Sequence, residues 1–191
     1  MNAAGFLISV VLAVAIVAVA YVALATYNDV IGLLQRIDKA WANIDVALKQ
    51  RHDELPNLVN AVRGLMGFEQ AVLERVTEAR AAYTREAPIP SQAATSQATS
   101  AALRSLFAVV EAYPDIKAHG NVLELQGEVQ RLEGIIADRR ELYNDMVYRY
   151  DTRIRQVPAL LLAPLFGWRP RPYFKADEAD TARPDTTLTL D

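Results

Sequence analysis

Gly5 to Thr26 reads GFLISVVLAVAIVAVAYVALAT, 22 consecutive residues without an Asp, Glu, Lys or Arg. At about 1.5 Å per residue a helix of that length reaches about 33 Å, enough to cross a hydrocarbon core of about 30 Å. Lipid offers no water to satisfy a peptide group, so a spanning segment must close its own hydrogen bonds as a helix. One competing reading is a cleaved secretory signal, because Ala18-Val19-Ala20 and Ala23-Leu24-Ala25 both have the small-residue pattern of a cleavage site. A buried helix of a soluble protein is the other. Residues 1–5 carry no Lys or Arg, and the apolar run outlasts a signal h-region, so the sequence predicts an uncleaved anchor over residues 1–26. Arg36 and Lys39 follow the span and no Lys or Arg precedes it, which favours a cytoplasmic C-terminal part. Asp29 and Asp38 offset them, and a periplasmic placement stays open.

Composition removes several function classes. The 191 residues include no cysteine, which excludes disulfides, thiolate metal sites, thiol nucleophiles and a lipidated N-terminal Cys. His52 and His119 are the two histidines, with no His/Glu pair at helical spacing, so no metal or cofactor is expected. The balance of 20 Lys+Arg against 23 Asp+Glu lacks the basic excess of a nucleic-acid binder. Residues 27–174 are neutral, with 18 bases and 18 acids, whereas 175–191 hold five acids and two bases and read as a disordered acidic tail.

After the span the pattern is helical. Tyr27, Val30, Leu34, Ile37, Trp41, Ile44 and Leu48 recur at three- and four-residue steps, a heptad-like seam on one face. No break separates this seam from the span. Asp53 is a candidate N-cap, and Pro56 is tolerated within a first turn but clashes deeper in a helix, which predicts a turn or kink at Arg51–Asn57. A second stripe from Leu55 to Tyr83 is expected to end near Glu86, with Gly64 and Gly67 each costing about 1 kcal/mol relative to Ala. Ala87-Pro88-Ile89-Pro90 punctuates the chain, and the Ser/Thr/Gln/Ala run 91–100 reads as a loop or weak helix start. Leu103, Leu106, Phe107, Val110 and Tyr113 mark a third helix stopped by Pro114. A fourth starts at Asn121 with Glu124 as a capping box and runs to Val157, before Pro158. Nothing reads as strand. The expected fold is all-α: a transmembrane helix followed by an antiparallel four-helix up-down bundle, or a long helix over 27–86 with two others packed on it if Pro56 only kinks.

Several blocks within Tyr27–Phe174 resemble the LemA family. They are Trp41-Ala42-Asn43-Ile44-Asp45-Val46-Ala47-Leu48-Lys49, Arg51-His52-Asp53-Glu54-Leu55-Pro56-Asn57-Leu58-Val59 and Thr77-Glu78-Ala79-Arg80. Tyr113-Pro114-Asp115-Ile116-Lys117-Ala118, Leu123-Glu124-Leu125-Gln126, Tyr143-Asn144, Phe166-Gly167 and Pro172-Tyr173-Phe174 continue the pattern in order. Where the family often has two arginines before the histidine, this chain has Gln50-Arg51. The resemblance implies a membrane-anchored bacterial four-helix bundle without an established reaction. Some members take part in building membrane compartments.

Two sets of side chains are candidate sites. Arg51, His52, Asp53, Glu54 and Asn57 form the densest polar cluster, readable as an interaction patch, as a metal or acid–base site using His52, Asp53 and Glu54, or as a capped turn, which the divergence of consecutive helical positions favours. Leu161, Phe166, Trp168, Arg169 and Arg171 form the other. Residues 149–171 hold five arginines and one aspartate around a 12-residue apolar segment, Val157–Trp168, too short to span. That segment either meets the membrane interface or folds over an open end of the core. No nucleophile elbow, phosphate loop or dinucleotide fingerprint is present. The expectation is therefore a non-enzymatic, single-pass scaffold of the bacterial inner membrane, whose partners are the bilayer and either its own copies or another membrane protein. No small-molecule substrate is evident. The runner-up is an adaptor that biases a membrane protease or kinase.

Overall fold

The structure, a computed structural model, describes residues 3–63, 70–113 and 120–175. Among these every regular element is helical, in the order α1 (Ala3–Arg63), α2 (Gln70–Ala81), α3 (Ile89–Ala112), α4 (Gly120–Ile154) and α5 (Ala159–Phe166). The expectations for Gly64, Gly67, the stop at Pro114, His119 and the tail beyond Lys175 fall outside the described residues. The chain divides into two compact units, Met1–Ala40 with Asn144–Arg171 and Trp41–Tyr143 with Pro172–Asp191.

In the first unit the apolar run of α1 is uncovered. Its most apolar 18-residue window has a mean hydropathy of 2.9 and none of it is buried, so this helix is long and apolar enough to cross a membrane. Burial sets in only at Thr26, 3% exposed, and continues through Val30, Ile37 and Ala40. The buried side chains contributed by α4 and α5 are Val147, Tyr150, Ile154 and Ala159. Arg153 of α4 donates from Nε to Asp29 of α1 at 2.6 Å. Of the heptad seam that starts at Tyr27, Val30 and Ile37 are thus buried within this unit.

The second unit holds a core drawn from four helices. Leu55, Leu58, Val59 and Val62 of α1 meet Leu73 and Val76 of α2, Leu103, Leu106 and Val110 of α3, and Val122 and Val129 of α4. The first three sets follow three- and four-residue steps and the α4 pair lies seven apart, spacings that gather side chains on one helical face.

At two places the structure decides between readings that the sequence left open. First, of the turn and the kink open at Arg51–Asn57, the full turn does not form, because α1 remains helical through Pro56. Proline has no N–H, so the carbonyl of His52, four residues back, loses its helical donor. Arg80 of α2 replaces that donor, its Nε reaching the His52 oxygen at 3.3 Å. Asp53 therefore caps nothing. It sits in the helix interior, and its carboxylate accepts from Lys49 one turn earlier. Second, residues 91–100 take the helical of the two readings, lying in the first half of α3, which starts at Ile89. Gln92, Ser96 and Thr99 are buried in the same three- and four-residue rhythm that Leu103, Leu106 and Val110 continue. Pro90 lies in the first turn, where its missing N–H has no helical partner to lose. The helix expected to reach Glu86 ends at Ala81, and the following loop is stitched by Gln92, whose Nε2 donates to the carbonyls of Arg85 at 2.7 Å and Ala87 at 2.9 Å.

The pairing of Pro56 with Arg80 is open to a double-mutant cycle. Arg80→Met in the native chain is expected to lower the unfolding free energy by about 1–2 kcal/mol. In a Pro56→Ala background residue 56 donates to His52 itself, and the same change should cost about 1 kcal/mol less. Urea unfolding of the four proteins checks this; equal costs in both backgrounds would show that Arg80 does not serve the proline.

Candidate functional site

The polar cluster of α1 splits once it is placed on a continuous helix. Arg51 turns inward and is 4% exposed. Its Nη1 donates to Ser100 Oγ at 3.1 Å and to the Glu133 carboxylate, and its Nη2 donates to Ser96 Oγ at 3.0 Å. One guanidinium thereby joins α1 to α3 and α4. A buried cation needs a counter-charge and acceptors for its N–H groups, and the planar guanidinium fork can reach several at once.

His52 faces the loop after α2. Its ring lies 5.0 Å from that of Tyr83, and neither His52 Nδ1 nor the Tyr83 hydroxyl, both buried, has a hydrogen-bond partner among the described residues. Burial and, secondly, the Arg80 charge hold the imidazole below its ordinary pKa of 6.5. Burial also raises the Tyr83 hydroxyl above its usual value. Between these rings and Arg51, Thr95, Ser96 and Thr99 lies a cavity of about 10 Å³. That is room for one water bridging polar atoms, not for a substrate. A larger concavity of about 550 Å³ runs along α2 from Arg63, lined by Leu73, Glu74, Thr77 and Glu78. Asp53 is exposed on Lys49, and Glu54 accepts from Asn57 Nδ2 at 3.1 Å. The five residues thus divide among three environments, and among the described residues no group of three or more His, Asp or Glu side chains comes together.

The C-terminal set is built differently. Gly167 ends α5 in the left-handed region at φ 67°, a conformation that penalises any Cβ. The turn returns the Trp168 N–H to the Ala163 carbonyl at 3.0 Å, closing the helix with a Schellman-type bond. Trp168 stacks on Phe166 at 5.2 Å between ring centroids, and Tyr27 packs on both, at 4.9 Å from Phe166 and 6.2 Å from Trp168. Leu161 and Leu165, one turn apart, remain 71% and 76% exposed. The segment therefore covers Tyr27 with its aromatic end and leaves its leucines open. Arg169 and Arg171 are exposed, while their backbones are held by α4: Tyr150 donates to Arg169 O at 3.1 Å, and the Arg171 N–H reaches Asp151 Oδ1 at 3.2 Å. In the second unit Tyr143 donates to Pro172 O at 2.8 Å, and Trp41 lies 5.7 Å from Tyr143 and 5.9 Å from Phe174.

With the helices and both clusters in view, comparison with known protein families matches residues 40–187 to the LemA family, and the chain belongs to it. The match takes in both clusters except Tyr27 and begins downstream of the apolar span. No curated protein matches the chain. Sequence reasoning missed Arg80, Ser96, Ser100 and Glu133 as partners of the α1 cluster. A signal existed for Arg80 in the Thr77–Arg80 block, but nothing in spacing alone paired it with Pro56.

Two outcomes follow from this geometry. Arg51→Ala strips the counter-charge from Glu133, which is 27% exposed, and should lower stability by about 2–4 kcal/mol, solvent access keeping the loss below that of a fully buried pair. Arg51→Met combined with Glu133→Leu should recover most of that loss in urea unfolding. For His52, the lowered folded pKa means that the unfolded chain binds more protons just below pH 6.5. Its contribution to stability is complete above that pH and declines as the pH falls toward the folded pKa. Unfolding curves from about pH 7.5 to about pH 5 should lose that slope in His52→Phe.

Proposed function

We propose that this LemA-family protein is a single-pass, membrane-anchored helical scaffold of the bacterial inner membrane, acting by protein–protein or protein–lipid contact rather than by catalysis. The observation that carries the reading is the uncovered apolar stretch of α1, which has no protein surface against it and suits a lipid environment. The helices after it form, in this proposal, an antiparallel bundle. In support, later residues of α1 meet earlier ones of α4: Arg139 Nη1 donates to Asn43 O at 2.6 Å, and Arg51 pairs with Glu133. Placement in the cytoplasm follows the Lys/Arg bias after the span.

On the second unit the partner-facing side chains are Asp53, Glu54 and Asn57, because Arg51 is turned into the core and His52 onto Tyr83. Self-association belongs to the proposal but must use surfaces other than the residue 30–48 seam, which the chain buries itself.

Alkaline carbonate extraction of cells expressing the full chain is expected to leave it in the pellet at full length, and a C-terminal reporter should be active in the cytoplasm. Release into the supernatant, or a mature form beginning near Tyr21, would remove the tether. Activity only from a periplasmic reporter would reverse the orientation.

A further inference from the structure

We propose that the segment from Val157 to Arg171 is a second membrane-contacting element, an interfacial helix that lies on the leaflet from which the span emerges. The inference rests on the tethered reading and adds a lipid-facing role for α5.

The placement comes from Tyr27, which directly follows the last residue of the apolar run. A run of 22 residues is just long enough for the hydrocarbon core, so its final turn marks the boundary between acyl chains and headgroups. Tyr27 is packed against Phe166 and Trp168. The aromatic end of α5 is therefore held at the depth of that boundary, where Tyr and Trp rings are favoured because they have an apolar body and a polar tip. The Schellman-type closure at Gly167 fixes Trp168 in that position.

Chemistry agrees with depth. Leu161 and Leu165 form an exposed apolar stripe, with Leu160 beside them half exposed. Arg155, Arg169 and Arg171 are exposed, and among the described residues none has a carboxylate partner, whereas Arg149 and Arg153 are paired with Asp145 and Asp29. Apolar side chains flanked by uncommitted arginines, adjoining a span, match the layered chemistry of a bilayer surface rich in anionic lipid. The leucines enter the acyl boundary, the aromatic rings lie among the headgroups, and the arginines meet lipid phosphates.

The chain has no cysteine, so single-cysteine variants of the full-length protein can carry a nitroxide probe. Leu165→Cys, Leu12→Cys in the span and Leu123→Cys on α4 are reconstituted separately in phosphatidylcholine vesicles with and without phosphatidylglycerol. Collision rates with oxygen, which concentrates in lipid, and with a water-soluble nickel chelate then report depth. The expected result is oxygen-dominated relaxation at positions 12 and 165 and chelate-dominated relaxation at 123. The lipid signature at 165 should weaken without phosphatidylglycerol and in the Arg155→Gln/Arg169→Gln/Arg171→Gln variant. Position 165 behaving like 123 while 12 stays lipid-like would overturn the proposal and leave the tether standing. Chelate access at position 12 would overturn the tether itself. A probe at 165 shielded from both reagents would mean that protein, such as a second copy, covers α5, and that too overturns the proposal. Indifference to phosphatidylglycerol and to the arginines would overturn the anionic-lipid contact.

Discussion

A single peptide carbonyl decides how the second unit is built. Pro56 cannot donate to His52 O, and a helix left with that vacancy in a packed interior would break or bend away. Arg80 fills the vacancy from α2, so α1 continues to Arg63 and delivers Leu58, Val59 and Val62 to the shared core. The same turn of α1 sends Arg51 inward to α3 and α4. Two guanidinium groups thus do the joining that apolar packing alone would leave to shape, one by completing a backbone hydrogen-bond ladder and the other by crossing between helices.

Much of this architecture was legible in the residues. The seam from Tyr27 to Leu48, the stripe of α4 and its end before Pro158 all follow apolar spacing, and the helices appear where that spacing is regular. The reading stayed open where polar chemistry occupied seam positions. Gln92, Ser96 and Thr99 are buried in the rhythm of a helix, yet hydroxyls and an amide look like loop composition to a reader counting apolar residues. Ser96 partners Arg51 there, Gln92 partners the loop carbonyls of Arg85 and Ala87, and Thr99 satisfies its own hydroxyl on the Thr95 carbonyl. Pro56 left turn and kink both open for a related reason: its penalty is local, whereas its remedy lies 24 positions onward at Arg80. Of the two candidate sites, the arginines and aromatic residues of the C-terminal segment were recognisable, but their attachment to Tyr27 was not, since nothing in the sequence pairs positions so distant.

The first unit carries the membrane chemistry. Its long apolar stretch is bare until Thr26, and covering protein begins where the hydrocarbon would end. Membership of the LemA family concerns residues 40–187, so the candidate span is read from this chain's own residues. The aromatic triad of Tyr27, Phe166 and Trp168 ties that transition to the C-terminal segment, and the backbone bonds from Tyr150 and Asp151 hold the arginine-bearing stretch against α4.

The polar filling of the first half of α3 also acts as an index. Sliding α3 by one heptad toward its N-terminus would bring Leu103 to the place of Ser96 and oppose an aliphatic side chain to the buried guanidinium, stranding its N–H groups without acceptors. An all-leucine seam would tolerate such slippage at little cost. Ser96 and Ser100 forbid it, so the helices of this unit can find only one axial alignment.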